Sequence, residues 1–136
     1  MNYKAYCDAL TEQVSVHEEL LKQISQKSTL GLLERTAAER SLQILAEAAI
    51  GATKHANRKL QLPERSDAAN SVAQLLEHFP CPEVDSQEIR GAIGMRNAIV
   101  HDYLNLDWKL IQNVISTRQY LKLGRFVAHC CKLLRE

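Results

Sequence analysis

Apolar residues recur at three- and four-residue intervals along most of this chain, the spacing of amphipathic helices. From Tyr3 to Ser25 the stripe is Tyr3, Tyr6, Cys7, Leu10, Val14, Leu21 and Ile24. His17 falls on it and reads as a satisfied interfacial residue rather than a ligand. A polar connector, Gln26 to Thr29, offers Ser28 or Thr29 as an N-cap for the next helix. That helix, Leu30 to Gln61, is the longest, with Leu33, Ala37, Ile44, Leu45, Ala48 and Ala52 on its apolar side. Thirty residues give about 45 Å of helix, long for a compact bundle, so a kink is expected, with Gly51 its natural place. Leu62-Pro63 ends it, because the residue before proline is pushed out of helical geometry. Ser66 or Asp67 then caps a short helix from Ala68 to Glu77, and Phe79-Pro80-Cys81-Pro82 breaks the chain again. Asp85-Ser86-Gln87-Glu88 has the form of a capping box and opens a helix running through Ile89, Ile93, Arg96 and Val100. Leu104-Asn105-Leu106 forms a loop, and Asp107 caps a last helix from Trp108 to Leu134. Five helical segments without a convincing strand predict an all-α, up-and-down helical bundle.

Composition narrows the class. A chain of 136 residues is expected to form one domain, 1–136, and at 46% apolar but 5% aromatic its core is aliphatic. No apolar run approaches the roughly 20 residues that span a bilayer, and the N-terminus has no signal-peptide pattern, so a cytoplasmic location away from membranes is expected. The formal net charge of +1 argues against a general nucleic-acid coat protein but leaves room for a local basic pocket. Lys54 and Arg58, four apart on the long helix, are the plausible backbone contacts if RNA binds there; otherwise they form a solvated face. Cys7, Cys81, Cys130 and Cys131 have no paired spacing. His78 with Cys81, and His129 with Cys130 and Cys131, amount to incomplete zinc sites. Reduced, packed thiols are therefore expected, with no metal and no cofactor.

One stretch concentrates reactive side chains: Arg96-Asn97-Ala98-Ile99-Val100-His101-Asp102-Tyr103. A guanidinium is a planar fork suited to phosphate oxygens. An imidazole exchanges protons near neutrality. Together they suggest phosphate-ester chemistry run by side chains alone. Asn97 suits donation to a phosphate or support of the loop; Asp102 suits orientation of His101 or a solvent-facing place. Five residues apart, Arg96 and His101 would point about 140° away from each other on an ideal helix. Either the helix ends near Val100 and His101 turns back on a loop, or two copies of the stretch meet across an interface. A third reading is purely structural, with His101 stabilising a helix C-terminus. Gly91 and Gly94, mid-helix, leave space for another backbone or a nucleotide close to Arg96.

Arg-x4-His-x-Tyr near a helix end resembles the signature of the HEPN superfamily, specifically the HepT-type toxins of toxin–antitoxin pairs. Glu39 to Ile50 is similar to that family's second helix, and Gly94 to Leu104 to its active-site segment. The resemblance implies a homodimer with a metal-independent endoribonuclease cleft between protomers, with Arg96 and His101 catalytic and Asn97, Asp102 and Tyr103 in support. It also implies a type VII-like partnership, in which a minimal nucleotidyltransferase antitoxin transfers AMP to Tyr103. Two rivals stand beside it: a non-catalytic HEPN-like module that binds nucleotide or RNA, and a helical adaptor. The inert form of the first would normally lack Arg or His, and this chain keeps both.

Overall fold

The computed structural model describes all of residues 1–136, as six α-helices and one 3-10 turn with no strand. The helices are α1 (Tyr3–Ser25), α2 (Leu32–Lys59), α3 (Ala68–His78), α4 (Ser86–His101), α5 (Trp108–Ser116) and α6 (Leu121–Arg135). The 3-10 turn, Tyr103–Asn105, follows α4 directly.

α2 is the axis of the molecule and packs against α1, α3, α4 and α6. Thirteen of its 28 residues are buried, six of them alanines (Ala38, Ala46, Ala48, Ala49, Ala52 and Ala56), which lets neighbouring helices approach closely. Gly51 does not interrupt it: the helix is continuous there. The glycine makes room instead for α1, since a Cβ at that position would meet the Tyr6 hydroxyl at 3.3 Å. Leu21, Leu45, Leu75, Ile89, Ile111, Phe126 and Tyr120 are the large side chains that fill the core. Cys7, Cys130 and Cys131 pack among them as buried free thiols, and burial pushes Cys131 up to about 12.

Local chemistry sets the helix ends. The Asn2, Asp67 and Asp107 side chains each accept a backbone N–H of the turn they open. The expected capping box is present: Asp85 accepts from the Glu88 N–H at 2.9 Å and Glu88 from the Asp85 N–H at 3.1 Å. Neither Ser28 nor Thr29 caps α2. Its first residue is Leu32, and the Glu34 carboxylate accepts the Gly31 N–H at 2.8 Å.

The last helix divides in two, so the bundle has one helix more than expected. Arg118 has a φ of 59°, its N–H bonds the Ile115 carbonyl, and the Gln119 N–H reaches back to Val114. This is the double-bonded, left-handed ending that usually carries glycine. α2 ends identically, with Gln61 at φ 58° and the Leu62 N–H on the Asn57 carbonyl.

Candidate active site

α4 is the least embedded of the longer helices. Only Ile89 and Ile93 of its 16 residues are fully buried, so it lies across the bundle with one side open. On that side, Gly91 and Gly94 are exposed, and a Cβ built on either would meet nothing within 4 Å.

Arg96 turns inward. It lines a cleft between α4 and the α5–α6 bend together with Leu42, Met95, Val114, Tyr120 and Leu123. Its Nε is buried and has no hydrogen-bond partner. A buried donor left unpaired typically costs about 1–3 kcal/mol. Glu88 and Lys122 stand at the other end of this cleft, 3.7 Å apart.

His101 is the last residue of α4 and is exposed. It does not turn back on a loop. The helix runs through it, so the two side chains diverge by about 140°. The loop that would have brought His101 back beside Arg96 is absent. Asn97 is exposed on the same helix. Asp102 does not orient His101: its carboxylate accepts from the Asn105 side chain at 2.8 Å and so braces the 3-10 turn.

That turn carries Tyr103, half exposed, toward the N-terminal part of α2. There the nearby Glu39 carboxylate disfavours ionisation of the phenol, through hydrogen bonding first and charge second. Tyr103 is thereby held above the usual phenol range, with Arg35 alone pulling the other way. Glu39 is only 5% exposed, a buried carboxylate whose ion pair is Arg35 at 3.4 Å. The Arg35 guanidinium in turn sits 4.8 Å above the Trp108 ring. Arg35 and Glu39 thus form a charged cradle for Tyr103 that was not singled out from the sequence. Arg35 and Glu39 show only the four-residue spacing of an ordinary helical ion pair, and nothing local links them to a tyrosine so distant in the chain.

Val100, Leu104 and Leu110, with Leu32 and Leu33 at the start of α2, are exposed apolar side chains. Lys54 and Arg58 are not part of this region. They line a separate pocket about 20–30 Å further along α2.

Known proteins resemble this chain in sequence and in fold. A curated protein, the mRNA nuclease HepT of Shewanella oneidensis, is 29% identical over 75 residues; the match covers 55% of this chain and spans 56% of that protein's length. Among solved structures, a toxin–antitoxin with AMP-PNP superposes with a TM-score of 0.79 at 18% identity, covering 91% of this chain and 96% of that one. The tri-AMPylated Shewanella oneidensis HEPN toxin in complex with its MNT antitoxin also gives 0.79, at 19% identity over 90% and 94%. At such identities these two establish a shared fold. The family described as ribonuclease HepT-like matches residues 10–129, nearly the whole chain, and this protein belongs to it.

Proposed function

We propose that residues 1–136 form one domain that acts as the toxin of a toxin–antitoxin pair, a metal-independent endoribonuclease working as a homodimer. The observation that carries this reading is the placement of Arg96, His101 and Tyr103. All three stand within two turns at the open end of α4, with the Arg96 Nε unpaired and His101 exposed. The curated relative is an mRNA nuclease, and the structurally similar Shewanella toxin is AMPylated and bound to an MNT antitoxin.

RNA carries its own nucleophile. The 2′-hydroxyl attacks the adjacent phosphorus, its proton passes to a base, and the 5′-oxygen of the next nucleotide leaves with a proton from an acid. The products are a 2′,3′-cyclic phosphate and a 5′-hydroxyl. Arg96 holds the non-bridging oxygens as negative charge gathers on them. His101 serves as base or acid beside the Arg96 of the other protomer, with water as the second proton-transfer partner, a role worth about 10²–10⁴-fold. Because Arg96 and His101 diverge on one chain, the working cleft combines the two copies. The open glycine face of α4 and the exposed apolar side chains Val100, Leu104 and Leu110 suit that contact. Asn97 supports the phosphate at the same edge.

The antitoxin partner is a minimal nucleotidyltransferase. The Tyr103 oxygen attacks the α-phosphorus of ATP, pyrophosphate leaves, and the phenolic proton passes to a base. The adduct places phosphodiester charge and an adenosine at the rim of the cleft, where it competes with RNA.

The test is direct. Purified protein should cleave single-stranded RNA in EDTA and leave 2′,3′-cyclic ends. Arg96→Ala and His101→Ala should each lose at least about 100-fold with an unchanged circular dichroism spectrum. A requirement for added magnesium would refute the mechanism. Co-expression with the antitoxin should add mass in AMP units to the peptide holding Tyr103; AMP found only on Tyr3, Tyr6 or Tyr120 would refute the regulatory half.

A further inference from the structure

The C-terminal third of α2 and the loop beyond it enclose a second cavity, of about 250 Å³, whose lining is polar except for Leu62. Three cations border it: Lys54 and Arg58, one helical turn apart, and Arg65 from the loop. Glu64 is the one carboxylate in the lining. Its pairing with Arg58 is loose, 3.9 Å between two largely exposed side chains. Arg65 is held firmly: its Nε donates to Gln74 at 2.9 Å, and the buried Gln74 is itself anchored on the Pro63 carbonyl at 2.7 Å. The terminal nitrogens of Arg65 have no partner within the protein fixed by those bonds.

Asn57 lines the same cavity and is 6% exposed. Its Nδ2 donates to the Ser71 carbonyl at 3.1 Å, which fixes the orientation of the amide. Its Oδ1 is therefore an acceptor, and it is buried without any donor. The cavity thus offers positive charge for an anion, and Asn57 on its wall holds an acceptor without a donor. No aromatic ring lines it, so it has no platform on which a base would stack. A phosphate with a neighbouring hydroxyl fits these terms, and in RNA the 3′-phosphate adjoins the ribose 2′-hydroxyl.

We infer that this cavity is an RNA-backbone subsite: Lys54, Arg58 and Arg65 hold one phosphate, and Asn57 Oδ1 accepts from the adjoining 2′-hydroxyl. That hydroxyl is the group by which a protein tells RNA from DNA. The assignment to a strand rests on the ribonuclease reading above; the ligand chemistry of the cavity does not. Lying about 20–30 Å along α2 from the Tyr103 cradle, the subsite grips a part of the strand remote from the cleaved bond. Its binding energy is then the same before and during the reaction, so it acts on KM and leaves kcat alone.

Adenosine 3′-monophosphate tests the site without cleavage, since it has no phosphodiester to break. Titrated into the isotope-labelled protein, it should shift the Asn57 side-chain amide and the backbone of Lys54, Arg58 and Arg65 saturably. Its 2′-deoxy counterpart should bind about tenfold more weakly, the loss of one hydrogen bond. Arg65→Gln should weaken both nucleotides, and Glu64→Gln should tighten both by removing the competing carboxylate. In the cleavage assay Arg65→Gln should raise KM for RNA with kcat unchanged. Equal binding of the ribo- and deoxy-nucleotides, or no shift at Asn57, would overturn the subsite. Tight binding of the mononucleotide with no change in KM would make this a free-nucleotide site and overturn the strand assignment. A wild-type protein that binds the nucleotide as described yet cleaves no RNA would fail the ribonuclease reading and leave the cavity's chemistry standing.

Discussion

At the scale of single residues, the contact between Tyr103 and Glu39 makes the sharpest prediction. The carboxylate raises the phenol's pKa through hydrogen bonding first and charge second, and Arg35 opposes it. Glu39→Gln should therefore bring Tyr103 down toward the ordinary phenol value, and Arg35→Ala should push it further up. Tyrosine ring-carbon chemical shifts followed against pH would resolve it from the other three tyrosines. A Tyr103 titration unmoved by Glu39→Gln would remove the contact from the site. A second residue-scale effect concerns histidine. Burial depresses His17 and His55 below 6.5, assisted by the charges of Arg40 and Arg58 respectively. The folded state prefers both rings neutral, so their contribution to stability is present above about pH 6.5 and is lost as pH falls through the depressed values. Melting temperatures should drop from pH 7.5 to pH 5. His17→Gln, which retains a polar partner for Ser41, now 2.8 Å from the ring, should flatten that slope. The candidate trio Arg96, His101 and Tyr103 stands within eight consecutive letters of the sequence. The expected place of His17 on a packed stripe was legible, and it is buried there. Glu39 was not, because a carboxylate at helical spacing from an arginine looks like any surface pair until the fold brings a phenol to it.

At the scale of elements, periodicity located α1, and caps located α3 and α4, almost to the residue, because Asp67 and Asp85 each offer a side-chain acceptor where a helix must begin. The division between α5 and α6 left no such trace. Its left-handed position is occupied by Arg118 rather than glycine, and the apolar stripe continues across the bend through Tyr120 and Leu123. The same irregularity marks Gln61, and there Pro63 gave the stop away. Both non-glycine residues hold a conformation that costs roughly 1–2 kcal/mol for an ordinary side chain. Part of that is offset by glycine's greater freedom in the unfolded chain. Gln61→Gly and Arg118→Gly should each stabilise the protein by about 0.5–1 kcal/mol in urea denaturation. Gly91 and Gly94 allow a sharper experiment. In a single chain an alanine at either meets nothing, so each replacement should add about 1 kcal/mol of helix stability. Should α4 meet its copy across a two-fold axis, the added methyls would instead weaken association. Gly91→Ala and Gly94→Ala chains that melt higher yet dissociate more readily in sedimentation would place that face at the interface; unaltered association would place it outside.

At the scale of the whole molecule, the question is how two side chains that point apart could serve one reaction. Helical geometry fixed this problem in the sequence, and the continuous helix through His101 sharpened it, because the loop that might have brought His101 back is absent. What one chain's sequence cannot display is the surface that a second chain supplies, since exposed leucines and open glycines have no periodicity of their own. If the cleft is shared, Arg96 of one protomer acts beside His101 of the other. A dimer of an Arg96→Ala chain with a His101→Ala chain then keeps one intact pair: the Arg96 of the second chain and the His101 of the first. Each variant alone keeps none. Mixing the two inactive proteins and allowing exchange should produce mixed dimers as roughly half of the population, by random pairing of a two-fold assembly. Cleavage should rise well above that of either parent, to a level below wild type. The double variant, mixed with either parent, sets the background, because no mixed dimer there regains a complete pair. If Arg96 and His101 worked within one chain, mixed dimers would contain no complete pair either, and the mixture would stay as inactive as its parts. Mixing without recovery, with exchange verified by mass, would therefore exclude the shared cleft and return the search for His101's partner to its own chain.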